Sequence, residues 1–263
     1  MKLHIVPARN GVEWVRLGLR AFWRQPLAFV SLFFLFMALI SIASQLPLVG
    51  SIVAPILLPF MTLALMVATS VAHANETGKP TAPAMFIAAM EAVRAQRRPL
   101  IVLGVISAVY FVAAVALSAL VDGGVLAGAY LLDETVTPEV MAGSEFQTAR
   151  LLVMCLNLPL SLAMWHAPAL IHWHGVEPVK SLFFSVVALF RNFTAYAMFC
   201  ITWFGVFMIA GILLGLVATL LVAMGAGGVA SVGTMLMIGC AMVLAAMSLS
   251  STWFTFRDSF DAD

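Results

Sequence analysis

The sequence predicts an all-α fold: a polytopic membrane bundle of six transmembrane helices with three interfacial amphipathic elbow helices and both termini on the cytoplasmic side. Three observations carry this. The 263 residues are 63% hydrophobic and only 10% charged, with a mean hydropathy of +1.08, whereas soluble domains are near half apolar and a quarter charged. Six apolar runs are long enough to cross about 30 Å of hydrocarbon at about 1.5 Å per helical residue. Twelve of the thirteen Lys and Arg residues fall on one side of those runs, the asymmetry that keeps basic loops cytoplasmic.

The spans follow in order. Lys2, Arg9, Arg16, Arg20 and Arg24 lead into the first, at about residues 27–45. It is too long for a cleaved signal sequence and is expected to remain. A tight turn from Gln45 to Gly50 leads to the second, about 50–72. Lys79, Arg94, Arg97 and Arg98 precede the third, about 99–121, and an acidic segment, 122–149, leads to the fourth, about 150–172. Lys180 and Arg191 precede the fifth, about 193–222, which turns at Gly225–Gly228 into the sixth, about 229–252, followed by Arg257. The acidic segment therefore faces outward, with Arg150 the lone basic residue there. Its "LAGAYLL" is expected to cap the bundle or dip against the outer surface, before a short helix started by Thr137-Pro138-Glu139. A net charge of +1 argues against nucleic acid, which demands a basic face. Cys155, Cys200 and Cys240 lie singly in apolar runs and are read as small packing residues.

Three segments repeat one layout: "LRAFWRQPLAF" (19–29), "AVRAQRRPLIV" (92–102) and "VVALFRNFTAY" (186–196). Each brings an amphipathic stretch to an arginine two residues before proline or phenylalanine, and a span begins; Arg24, Arg97 and Arg191 align. Such helices lie in the interface plane, with Trp14 and Trp23 among acyl chains and Arg20, Arg24, Arg94, Arg97, Arg98 and Arg191 at lipid phosphates. Proline at the first helical position turns the chain inward without losing a needed hydrogen bond. The chain then reads as three units of elbow plus hairpin, about 11–72, 83–172 and 178–252. The same arginines equally satisfy the orientation rule of any inner-membrane protein.

Pro59 and Pro159 stand one hundred residues apart in the second spans of units one and two, with Pro55 and Pro168 as additional prolines. A proline inside a span frees a carbonyl, tolerated where neighbours or water satisfy it. Spans two and four are therefore the expected interior pair. Asn157 and Ser161, one turn apart beside Pro159, either line a small wet cavity or bond a neighbouring helix. His166 falls inside span four and His172 and His174 at its end, beside Trp165 and Trp173. Ionisable residues in spans suggest a function, yet an aromatic belt at that depth is ordinary. His172 and His174, two apart, diverge on a helix and make no metal site. A haem between His73 and a span-four histidine is the one cofactor arrangement available; none is expected. Gly211 and Gly215 form a GxxxG pair for close helix packing, within the bundle or between protomers.

No GxSxG, HExxH, P-loop or GxGxxG pattern occurs, and the spans hold no Asp or Glu, so no enzyme is expected. "GVEWVRLGLRAFWRQPLAF" (11–29), with its elbow echoed twice, resembles the six-span inner-membrane proteins of proteobacteria. More remotely it is similar to the membrane domain attached to some glycerophosphodiester phosphodiesterases. That resemblance implies fold and not chemistry, because no phosphodiesterase domain occurs in these residues. The expectation is a non-enzymatic inner-membrane scaffold or accessory component that contacts anionic lipid, with a membrane-protein partner or a second copy as further contacts. The alternative is a small transporter or efflux component for an apolar or lipid-like solute, lined by spans two and four.

Overall fold

The computed structural model describes residues 2–46, 50–74, 81–223 and 230–260, so the Gly225–Gly228 turn lies outside it. Among the described residues the regular structure is helical, apart from one antiparallel bridge between Leu3 and Phe260. The described residues form twelve helices in order: α1 (Asn10–Arg24), α2 (Pro26–Ala43), α3 (Gly50–Ala74), α4 (Ala82–Ala95), α5 (Arg97–Asp122), α6 (Val125–Leu131), α7 (Pro138–Ala142), α8 (Ser144–Met164), α9 (Ala167–His174), α10 (Pro178–Arg191), α11 (Phe193–Ala223) and α12 (Ala230–Ser259). Among the described residues, six stretches are long and apolar enough to span a membrane: α2, α3, α5, α8 with α9, α11 and α12.

Two boundaries differ from the hydropathy reading. α12 continues past residue 252 to Ser259. Its hydroxyls do not break it, because Ser250, Ser251, Thr252 and Thr255 each donate back to the carbonyl three residues earlier, while Phe254 and Phe256 are buried. The fourth span starts at Ser144 and is interrupted at Trp165–His166. Pro168 there sits in the first turn of α9, where its missing N–H costs nothing.

Three times a helix of 14 or 15 residues stops, one residue intervenes, and a spanning helix starts: at Gln25, Gln96 and Asn192. In the second case the break lies two residues earlier than the arginine alignment requires, so Arg97 and Arg98 open α5. Pro99 allows this because the first helical turn needs no N–H partners. Asn192 is pinned: its Oδ1 accepts from the Val6 N–H at 2.9 Å and its Nδ2 donates to the His4 carbonyl at 2.9 Å.

The chain forms two compact units, one of Met1–Ser31, Leu65–Phe86 and Phe190–Asp263, the other of Leu32–Ala64 and Ile87–Leu189. In the first, α1 packs on α11 and α12. Gly11 and Gly18 permit that approach: a Cβ on Gly11 would strike the Ala195 carbonyl and the Phe199 backbone, and one on Gly18 would strike Ser251. In the second, α5 packs on α8 and α6. Gly123 and Gly124, both at positive φ, turn the chain there, and the Asp122 carboxylate accepts from the N–H groups of Gly124 and Leu126 at 3.0 and 2.7 Å. α6 thereby caps a cluster of Val115, Leu126, Phe146 and Ala149.

Candidate functional site

α1 has a protein face and an outer face. Trp14, Val15, Gly18, Ala21 and Phe22 are buried, and the Trp14 indole N–H donates to Asp258 Oδ2 at 2.8 Å. Trp14 is fully buried, which corrects its expected place among acyl chains. An apolar stripe on a surface helix serves protein as well as lipid, and here α11 and α12 take it. Trp23, by contrast, is 67% exposed.

Beside Trp23 lies a groove of about 700 Å³ between α1 and α11, with Val12, Leu19, Thr202 and Val206 in its walls and Arg16, Arg20 and Arg24 around it. The three arginines are not equivalent. Arg16 pairs with Glu13 at 3.4 Å in an exposed contact, which is weak. Arg24 donates from Nη1 to the Ala72 carbonyl at 2.7 Å, satisfying one of the last carbonyls of α3. Arg20 is exposed and makes no hydrogen bond or ion pair among the described residues. It also borders a smaller cavity of about 200 Å³ with Leu17, Ala21, Arg24 and His73.

His73 is held by the protein. Its Nε2 lies 3.2 Å from Arg257 Nη1, and its ring packs on Trp253 and Phe254. The Arg257 guanidinium lies over those same two rings, 5.4 and 5.2 Å from their centroids, and pairs with Asp258 at 2.7 Å. The haem arrangement thus has one ligand already engaged. Arg94, Arg97, Arg98 and Arg191 are exposed on other helices and do not border this groove. Thr202 and Val206 escaped sequence reasoning because α11 is apolar all round and shows no preferred side.

The second unit holds a cavity of about 670 Å³ between α2, α3, α5, α6 and α8. Asn157 and Ser161 line it, together with Pro55, but Pro59, Pro159, His166 and Pro168 do not. Asn157 Nδ2 donates to the Val153 carbonyl at 2.8 Å and Ser161 Oγ to the Asn157 carbonyl at 2.9 Å, both within their own helix. The bond across helices comes instead from Tyr110, whose hydroxyl donates to the Leu156 carbonyl at 2.7 Å, next to the one that Pro159 frees. Ser107, Tyr130 and Asp133 also line the cavity and were not anticipated; the two serines of span three carried no pattern.

The histidine run joins helices. His166 is buried at the break between α8 and α9; its N–H donates to Ser185 Oγ at 3.0 Å, and that hydroxyl donates to the Leu162 carbonyl at 3.0 Å. Among the described residues no three His, Cys, Asp or Glu side chains converge. Cys155 and Cys200 are exposed rather than packed. A Cβ on Gly211 or Gly215 would meet nothing within 4 Å, so this pair packs no helix among the described residues. The close approaches fall at Gly11 and Gly18 instead.

The chain is 35% identical over 265 residues to Probable inner membrane protein BTH_II0599 of Burkholderia thailandensis, an alignment covering 99% of this chain and 94% of that protein. The chain belongs to that inner-membrane protein family. No family model and no solved structure matches it. The family name agrees with the six apolar helices and with residence in the inner membrane.

Proposed function

We propose that the protein is a non-enzymatic inner-membrane scaffold or accessory component that holds anionic phospholipid along α1. One observation carries this reading: the α1–α11 groove joins an apolar floor to Arg16 and Arg20 and to the exposed Trp23. Headgroup phosphate pairs with guanidinium, the indole sits at the headgroup level, and an acyl chain lies along Thr202 and Val206. The reading places both termini and all three elbows on the cytoplasmic side, where anionic lipid and basic loops are found together. The remote likeness to phosphodiesterase membrane domains contributes architecture alone.

The test is the lipid that accompanies the protein through purification in a mild detergent. Wild type should retain phosphatidylglycerol or cardiolipin, and Arg16→Ala/Arg20→Ala should lose most of it while remaining folded. Equal retention by both proteins would remove the groove from the account.

The cavity of the second unit favours a second reading, transport of an apolar or lipid-like solute, because it is walled by both spans two and four. Filling it with Ser161→Trp should then abolish solute movement in proteoliposomes without unfolding the protein.

A further inference from the structure

The cavity in the second unit has a chemistry more specific than an apolar void. At about 670 Å³ it lies within the range of small-molecule pockets. Ser107 on α5 is 2% exposed, and its hydroxyl has no hydrogen-bond partner among the described residues. A buried hydroxyl left unpaired is costly, more so in a protein surrounded by hydrocarbon, and this one lines the cavity.

The other polar groups of the lining offer acceptors beside hydroxyls: Ser44 and Ser161 spend their hydroxyl protons on the Ser41 and Asn157 carbonyls, and Ser51 and Tyr130 add hydroxyls that both donate and accept. Pro55 and Pro59 lie inside α3 and lack the N–H groups that would bond the carbonyls of Ser51 and Pro55; both of those residues line the cavity. Asn157 spends its amide N–H on Val153, leaving its oxygen as acceptor. Asp133 stands at the end of the cavity reached by α6, with φ 58, a left-handed conformation that Asp tolerates better than most residues. It brings the only formal charge to the lining among the described residues; no Lys, Arg or His borders the cavity.

We propose that this cavity binds an amphipathic amine: an alkyl chain against Met37, Leu58, Met61 and Leu160, and a protonated ammonium head given to Asp133 and the free acceptors. An acceptor-rich, cation-free cavity suits a donor-rich head, because an ammonium has three donors and no acceptor. An anionic head would meet Asp133 with nothing to offset it. A neutral alcohol could serve Ser107 but would leave the carboxylate without its counter-charge. The site is built from residues of the second unit alone and shares no lining residue with the lipid groove on α1.

The experiment uses the full chain in phosphatidylcholine nanodiscs, so that no anionic lipid collects the probe. The probe is a twelve-carbon primary amine carrying a diazirine, crosslinked by light and mapped by peptide mass. Labelling should saturate on peptides spanning 51–61 and 157–161. Dodecylamine should compete about tenfold better than dodecanol or dodecyl sulfate, the discrimination expected of one charge-assisted contact. Asp133→Asn, an exposed change, should weaken labelling by a similar factor. Ser107→Ala should weaken it while leaving the unfolding temperature unchanged or higher, because the hydroxyl has no partner to lose. Equal competition by dodecanol, unsaturable labelling, labelling unchanged in Asp133→Asn, or a Ser107→Ala protein that is less stable yet labels normally would each overturn the proposal.

Discussion

Arg20 and Arg24 lie one turn apart on α1, yet only Arg24 has a protein acceptor, the Ala72 carbonyl at 2.7 Å. Removing it leaves a carbonyl of the α3 end unpaired, so Arg24→Ala is expected to cost about 1–3 kcal/mol in thermal unfolding in detergent. Arg20→Ala should leave the unfolding temperature where it is, and a drop equal to that of Arg24→Ala would show that Arg20 is structural too. Both arginines were legible as basic positions of an elbow. Their different partners were not, because periodicity gives the face of a helix and not what stands opposite. Charge outside the spans behaves simply. A hydrogen bond from Lys180 and then its charge hold Glu177 below its ordinary 4.5. A depressed carboxyl stabilises above its unfolded value and loses that contribution as pH falls through the folded one. Any stability difference between wild type and Glu177→Gln should therefore be fully present above about pH 4.5 and decline as the pH falls through the lowered folded value; a difference that persists undiminished in strong acid would contradict the assignment.

At the scale of elements, the six spans were legible because hydrocarbon imposes a length and an apolar composition. Their ends were less so. The sixth span was read to end at about residue 252, whereas the hydroxyls of Ser250 to Thr252 bond within α12 and the helix runs on to Ser259. α1 shows a second limit: the stripe of Trp14 and Phe22 was correctly read as the apolar side of an amphipathic helix, but lipid and protein want the same side chains. The packing glycines follow the same logic. GxxxG in α11 is frequent by chance in apolar sequence, whereas Gly18 touches Ser251 only because α1 folds back on α12. Gly18→Leu should accordingly destabilise by about 1–3 kcal/mol or more through overpacking, while Gly211→Leu and Gly215→Leu leave the monomer as stable as wild type. If the α11 variants alone unfold the protein, the described packing is wrong.

For the whole molecule, the positive-inside asymmetry predicts one orientation for every element at once. Single cysteines at Glu139 and Glu145 in a chain freed of its own three should react with a membrane-impermeant maleimide in intact cells, and one at Glu177 only after lysis. The reverse pattern would invert the topology and move the α1 groove to the outer leaflet, where the anionic-lipid reading loses its basis. Function was the least legible level, since neither site depends on a linear motif. The groove needs Arg16 and Arg20 beside Thr202 and Val206, and the cavity needs Ser107 beside residues of α3, α6 and α8. The most direct measurement is a native mass spectrum of the protein offered phosphatidylglycerol and phosphatidylcholine in equal amounts, with Arg16→Ala/Arg20→Ala alongside. The account predicts bound phosphatidylglycerol on wild type, little phosphatidylcholine, and loss of that preference in the double variant. Equal binding of the two lipids, or a preference that survives the double variant, would contradict it.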